Sequence, residues 1–381
     1  MDLNRPIKVN DIKTFLIRPF TSNKNWVIQK HWLLIKVETD QGIVGWGEAF
    51  TMKHRERIIA QHVAGVTPYL IGRNPFHIKP FTQMVWKHYS ERRGSVELYS
   101  ALSGIEQALW DILGKFLGVP VYNLLGGPCR DTIRVYANGF SRGAGTPEEM
   151  AERAVEAVHL GFTAIKIYPF INTEDDRTAM NYVRSVREAV GPEIDILIDI
   201  WRHLSPTQAI RIAKRLEEYN IFWYEEPIPS DHLDVLAEVR RSIRIPVVTG
   251  ECIYTKSGFR EVLEKRAADI LNPDVASCGG ILEFKEISAM AEPYHISIAP
   301  HNWNSTTMAL AATIQVAAVI PNFLIAEYFV SFAETGNAIA LNPFKIEHGS
   351  IRLPTKPGLG LEIDEAVLKD YPYQEYPLED W

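Results

Sequence analysis

Seven polar residues recur at near-constant intervals between residues 166 and 327 of the chain. Lys166, Asp199, Glu225, Glu251, Asp274, His301 and Glu327 are separated by 33, 26, 26, 23, 27 and 26 positions, and each lies at the end of a short apolar run. If Asp199, Glu225 and Glu251 meet in one cleft, three ionised carboxylates repel, and protonation or a bound cation must compensate. An all-oxygen donor set suits a hard divalent ion, Mg²⁺ first and Mn²⁺ as an alternative. The plain alternative is that each acid caps a helix or pairs with an arginine. Asp274 beside His301 would fix the imidazole tautomer and raise its basicity; otherwise the two are a satisfied polar pair. Lys166 and Tyr168, in KIY, point the same way from one strand. A cation there would lower the phenol's pKa and make it a usable base; without that help Tyr168 is only a hydrogen-bond donor. Glu327 can donate to an oxyanion if protonated, or orient its neighbours if ionised. Trp201, Arg202, His203 and Trp303 fall just beyond run ends and read as pocket walls.

Intervals of this size are those of one strand–helix module. The runs TIRVYA, TAIKIY, DILIDI, IFWYEE, PVVTGE, ADILNP, ISIAPH and FLIAEY are apolar enough for parallel strands covered on both faces. Amphipathic segments such as SPTQAIRIAKRLEEY, opened by Ser205-Pro206, lie between them. Eight strands in series predict a closed parallel barrel, with an open doubly wound sheet as the alternative. The barrel is preferred because its strand ends converge on one mouth. Residues 1–130 read differently, as an α+β unit. WLLIKVETD, DQG and IVGWGEAF form a strand, turn and return strand. YSALSGIEQALWDILGKFLG then puts Ala101, Ile105, Ala108, Leu109 and Ile112 on one helix face and stops at Gly118. The division expected is a unit over 1–130, a barrel over 131–354, and a tail over 355–381 that packs back on the first unit.

Composition narrows the classes. A chain of 381 residues that is 46% hydrophobic and 23% charged is globular. Its net charge of −7 gives no reason to expect nucleic acid. No apolar run is long enough to span a bilayer and the start lacks a signal-like segment, so a soluble cytoplasmic protein without membrane attachment is expected. Three scattered cysteines, Cys129, Cys252 and Cys278, supply neither a disulfide framework nor a CxxC zinc site. GxGxxG and GxxxxGK[ST] are both lacking.

The ordered motifs KIY, LIDI, WYEEP, TGE, NPD…GG, APH and AEY, with VGWGE and ALSGIEQALWDILGK before them, resemble the enolase superfamily and, within it, the mandelate racemase subgroup. The likeness covers almost the whole chain. It implies a (β/α)7β modified TIM barrel with an N-terminal α+β capping domain completed by the tail. It implies Mg²⁺ on Asp199, Glu225 and Glu251, abstraction of a proton α to a carboxylate through an enediolate, and a symmetric homo-oligomer. Cap loops would close over the mouth, making Trp26, Met52 and His54 candidates for substrate contact. Lys24, His54 and Arg202 are candidates for the substrate's distal end.

Subgroup members often carry KxK on the second strand, where this chain has Lys166-x-Tyr168. LSPTQAIRIAKRLEEYNIFWYEEPIP, PNFLIAEYF and PGLGLEIDE resemble the mannonate dehydratase group, which also uses a tyrosine there. That group has a histidine two residues after the strand-three Asp, where this chain has Trp201. APH is similar to galactonate- and galactarate-type dehydratases. The resemblance therefore implies a carbon–oxygen lyase acting on a small acid sugar. It would remove the C2 proton and the C3 hydroxyl to give a 2-keto-3-deoxy acid. Tyr168 with Lys166 and His301 with Asp274 share the roles of base and acid, in either order, and Glu327 assists. Alternatives are a racemase or epimerase on the same scaffold and a catalytically inactive binding protein.

Overall fold

A computed structural model describes residues 6–23, 30–170, 173–305 and 307–377. The chain opens with an antiparallel meander of β1 (Val9–Ile17), β2 (Trp32–Thr39) and β3 (Val44–Ala49). The β2–β3 turn closes through Gly42 at φ 76°, a conformation that favours glycine. Helices α1 (Glu56–Val66), α2 (Ile78–Met84), α3 (Val96–Leu117) and α4 (Val121–Leu124) follow. Ser95 caps α3 by accepting from Leu98 N, and Gly118 ends it at φ 72°. All five apolar face residues read from the α3 sequence are fully buried.

The glycines of VGWGE let β3 lie directly on α3. A Cβ at Gly45 or Gly47 would stand 2.0 Å from the carbonyl oxygen of Ala108 or Gly104. Backbone meets backbone there, so no side chain fits between them.

The barrel-type domain runs β4 (Thr132–Asn138), α5 (Pro147–His159), β5 (Ala164–Ile167), α6 (Asp176–Val190), β6 (Asp195–Asp199), α7 (Pro206–Leu216), β7 (Ile221–Glu225), α8 (Leu233–Arg241), β8 (Val247–Thr249), α9 (Thr255–Lys265), β9 (Ile270–Leu271), α10 (Ile281–Ala291), β10 (Ser297–Ile298), α11 (Met308–Val319) and β11 (Ala326–Phe329). Each strand from β4 to β9 pairs in parallel with the next, and β11 pairs in parallel with β4. Backbone bonds from Ile298 N to Asn322 O, Leu324 N to Ile298 O and Glu327 N to Pro300 O link β10 to the segment entering β11. Strands β9 and β10 are only two residues long because prolines 273 and 300 come soon after them and carry no N–H for the ladder.

The interior is packed with Tyr136, Ala164, Leu197, Trp223, Val248, Ile270, Ala299 and Ile325. It is a filled core that leaves room only at the strand ends. Helix α11 is buried on every side, which explains its uniformly apolar MALAATIQVAAV.

A hairpin not anticipated from the sequence, β12 (Ile346–Glu347) and β13 (Ser350–Arg352), pairs antiparallel with β4. Its turn is His348-Gly349, both at positive φ. The segment beyond it returns to the first unit: Pro372 bridges Ile17, and Val121 N donates to Gly358 O. No helix among the described residues is long and apolar enough to cross a membrane.

Candidate active site

The C-terminal ends of consecutive strands bring the polar residues together. Asp199 ends β6, Glu225 ends β7, and Glu251 comes two residues after β8. One carboxylate oxygen from each lies within 4.8 Å of the others. Lys166 Nζ, fully buried on β5, stands 2.9 Å from Glu225, 3.2 Å from Asp199 and 3.2 Å from Glu327. Glu225 also accepts from Trp223 Nε1 at 3.0 Å and Asn272 Nδ2 at 2.9 Å. The loop after Asp199 is strained: Trp201 and Arg202 adopt φ 49° and 69°, and Trp201 N donates to Asp199 Oδ1 at 2.8 Å.

Asp274 and His301 form the expected dyad, with Nδ1 2.7 Å from Asp274 Oδ2. The other ring nitrogen faces Glu251 at 3.3 Å and Glu327 at 3.7 Å. Asn302 N donates to Glu327 at 2.6 Å. Asn138, the last residue of β4, donates to both the Tyr168 hydroxyl, at 2.8 Å, and Glu327.

Charges in this dry mouth decide protonation. Burial pushes the carboxyls of Asp199 and Glu225 up, well above the usual range for Glu225, because it outweighs the help of Lys166. Glu251 is held low: burial raises it, but His301 and Arg202 more than offset that. Glu327 is likewise held low by Lys166 and His301 against burial, which favours its ionised form. His301 is raised well above its usual value; burial opposes this, but Glu327, Glu251 and Asp274 prevail. For the Tyr168 phenol the sequence left two readings open, a base lowered by Lys166 and a plain hydrogen-bond donor. Burial drives it well above its ordinary value, with Asp199 and Glu327 adding, and Lys166 does not offset them.

The wall residues are distributed unevenly. Arg202 lies in the mouth but is committed to carboxylates, with Nη1 2.6 Å from Glu251 and 3.5 Å from Glu226. Trp303 stands 6.4 Å from Phe50 of the cap and 6.2 Å from Phe329. Trp201 is exposed at the rim, its ring 5.4 Å from His203. His54 is exposed in the turn before α1, beside Glu56. Met52 Sδ is 3.9 Å from Arg55 Nη1. Lys24 and Trp26 lie outside the described residues.

Sequence reasoning missed four participants. Asn138 links Tyr168 to Glu327. Arg142, in the loop after β4, stands over Tyr168, Trp201 and Trp303. Phe50 faces His301 at 6.3 Å. Lys30 is fully buried, bonded to Ser305 Oγ at 2.9 Å and placed 4.0 Å from the Phe50 ring centre; burial pulls its pKa down to about 8. Only Asn138, which continues the run TIRVYA by one position, carried a readable signal.

The donor set, three converging oxygen ligands with buried counter-charges around them, fits a hard divalent cation. A capped eight-strand barrel with acids on its third, fourth and fifth strands is an enolase-type architecture. The chain belongs to the mandelate racemase / muconate lactonizing enzyme family of the enolase superfamily: residues 7–126 match that family's N-terminal domain, and residues 149–367 match the enolase C-terminal domain-like model. It is 36% identical to a D-xylonate dehydratase of Haloferax volcanii over 348 residues, 87% of this chain and 83% of that protein. It is also 36% identical to a D-galactonate dehydratase of Ralstonia pickettii over 346 residues, 88% of this chain and 90% of that protein. The crystal structure of a mandelate racemase/muconate lactonizing enzyme from a Sulfitobacter species superposes with a TM-score of 0.88 at 33% identity, covering 98% of this chain and 100% of that one.

Proposed function

We propose that the protein is an acid-sugar dehydratase, a hydro-lyase that uses Mg²⁺ to turn a sugar acid into its 2-keto-3-deoxy product. The observation that carries this reading is the grouping of two separate proton-transfer stations, Tyr168 with Lys166 and His301 with Asp274, around one carboxylate triad. The two dehydratase relatives supply the substrate class. Asp199, Glu225 and Glu251 would hold the cation. When bound, it would supply positive charge to a substrate carboxylate and to the enediolate formed from it, and would offset the carboxylates that add to burial in keeping the proton on Tyr168.

The chain's own residues do the rest. Lys166 places a buried ammonium beside the triad, where negative charge develops. Tyr168 takes the C2 proton as its phenolate, its own proton having first passed to solvent, and Lys166 is the neighbouring charge that favours that form. His301, held protonated by Asp274, Glu251 and Glu327, gives its proton to the departing C3 hydroxyl, which leaves as water. Glu327 and Asn138 keep these groups in register. Phe50 and Trp303 wall the site and exclude water.

The test is a screen of acid sugars with Mg²⁺, assaying 2-keto acid, together with two variants. Tyr168→Phe should abolish exchange of the C2 proton with deuterium. His301→Asn should lower kcat by about 10²–10⁴ while leaving that exchange measurable. Near wild-type dehydration by His301→Asn removes His301 from the mechanism. The opposite pattern of exchange reverses the two roles. Deuterium entry at C2 with no keto acid identifies an epimerase instead.

A further inference from the structure

The loop between β4 and α5 carries a cation that the catalytic scheme leaves unused. The Arg142 guanidinium carbon lies 5.3 Å from the Trp201 ring centre, 5.7 Å from that of Tyr168 and 5.8 Å from that of Trp303. Two other cations of the mouth are spent on carboxylates, Lys166 on Glu225 and Arg202 on Glu251, and Lys30 is bonded to the Ser305 hydroxyl. Among the described residues Arg142 has no ion-pair partner, and its Nε is buried without a hydrogen bond. Asp199 and Glu251 are close enough to act on it electrostatically, so it faces the same mouth as the triad.

Aromatic rings attract a guanidinium through its charge and occupy the space around it. They cannot accept its in-plane hydrogen bonds. A planar fork of N–H donors, clamped by rings and lacking an acceptor, matches a carboxylate or a phosphate. Leaving such a group partly desolvated is unfavourable unless a ligand completes it.

We infer that Arg142 anchors a second oxyanion at the far end of the substrate, so that the preferred substrates are dianionic sugar acids and not simple aldonates. This rests on the acid-sugar reading, in which the first carboxylate is taken up at the triad. Both a terminal carboxylate, as in an aldarate, and a terminal phosphate, as in a phosphorylated aldonate, present the required chemistry. The rings of Trp201, Tyr168 and Trp303 fix the orientation of the fork, so a lysine at this position would restore the charge but not the geometry.

The experiment compares an aldonate, the matched aldarate and the matched terminally phosphorylated aldonate, each with Mg²⁺, on the wild type, Arg142→Gln and Arg142→Lys. Both kcat/KM and the calorimetric Kd are measured, and melting temperatures check that the variants fold. The wild type should favour one dianion over the aldonate, and which dianion wins identifies the source of the anion. Arg142→Gln should shrink that preference by roughly 10- to 100-fold, mainly through KM, and Arg142→Lys should recover part of it. Equal use of all three compounds by the wild type overturns the inference. So does an equal fall in kcat for all three in Arg142→Gln, which would make Arg142 a helper of Tyr168. If no compound is dehydrated, the dehydratase reading fails on its own, and the Kd comparison still decides for or against Arg142.

Discussion

Glu106 offers a measurable hold on how the cap is fastened to the barrel. It sits fully buried on α3, and its carboxylate accepts from the backbone N–H of Ile281 at 2.7 Å and Leu282 at 3.0 Å, the first residues of barrel helix α10. Trp110 Nε1 adds a third bond at 2.7 Å. A cap side chain thus satisfies the orphan donors of a barrel helix, next to Gly280, where a Cβ would come within 2.3 Å of the same carboxylate. These bonds favour the ionised form, but desolvation is larger and drives the pKa up to about 7.

That shift fixes the sign of the pH dependence. A carboxyl that titrates near 4.5 in the unfolded chain and near 7 in the fold keeps its proton longer when folded. Its favourable contribution is complete below about pH 4.5 and is lost as pH rises to about 7. At about 1.4 kcal/mol per pKa unit the loss is about 3 kcal/mol. Glu106→Gln cannot titrate. It also turns an NH₂ toward backbone donors, which costs a constant amount at every pH. Urea unfolding of both proteins from about pH 4.5 to about pH 7.5 should therefore show the wild type's advantage over Glu106→Gln falling by about 3 kcal/mol. Parallel stability curves would mean that the carboxylate stays charged throughout, and that the three hydrogen bonds, not desolvation, dominate.

Two further outcomes are expected. Mg²⁺ at about a hundred times its Kd should stabilise the wild type by about 2.7 kcal/mol, and Asp199→Asn should lose most of that gain in a thermal melt; an undiminished gain would place the ion elsewhere. Gly47→Ala drives a Cβ to 2.0 Å from the Gly104 carbonyl, backbone against backbone, and should destabilise by about 3 kcal/mol in urea unfolding; a change under about 0.5 kcal/mol would show that β3 can slide off α3 freely.

The strand-end residues were legible because a parallel barrel repeats at nearly fixed length and exposes side chains only at its mouth. Asp199, Glu225, Glu251, Asp274 and His301 could be read from that repeat alone. The conformations of the loops between strand and helix could not. Arg142 lies four residues beyond β4 in an aperiodic loop, and only the folded chain brings Tyr168, Trp201 and Trp303 around it. Arg202 was visible as a cation near the mouth, yet the strained turn at Trp201-Arg202 aims it at Glu251. The phenol of Tyr168 shows a different limit. A neighbouring lysine can be read from the sequence, but the depth of burial that outweighs it cannot.

The same limit applies to the seam between the two units, where several unanticipated polar contacts lie. Lys30 donates to Ser305 Oγ, Trp32 Nε1 to the carbonyl of Asn304, and Ala309 N to Glu48. Gln107 Nε2 reaches the carbonyl of Val275 at 3.4 Å. The barrel residues in these contacts come one to eight positions after Asp274 or His301. The cap therefore holds the two loops that leave the Asp274–His301 dyad, and it does so with fully buried side chains. Opening those contacts would expose a lysine and a carboxylate whose burial is already unfavourable, Lys30 titrating near 8 and Glu48 near 7. Such groups persist where the surrounding packing compensates them, and here that packing fixes the loop that carries His301. On the proposed dehydratase reading, the cap would contribute before any substrate arrives, by holding the imidazole and its carboxylate within 2.7 Å of each other at the edge of the acidic triad.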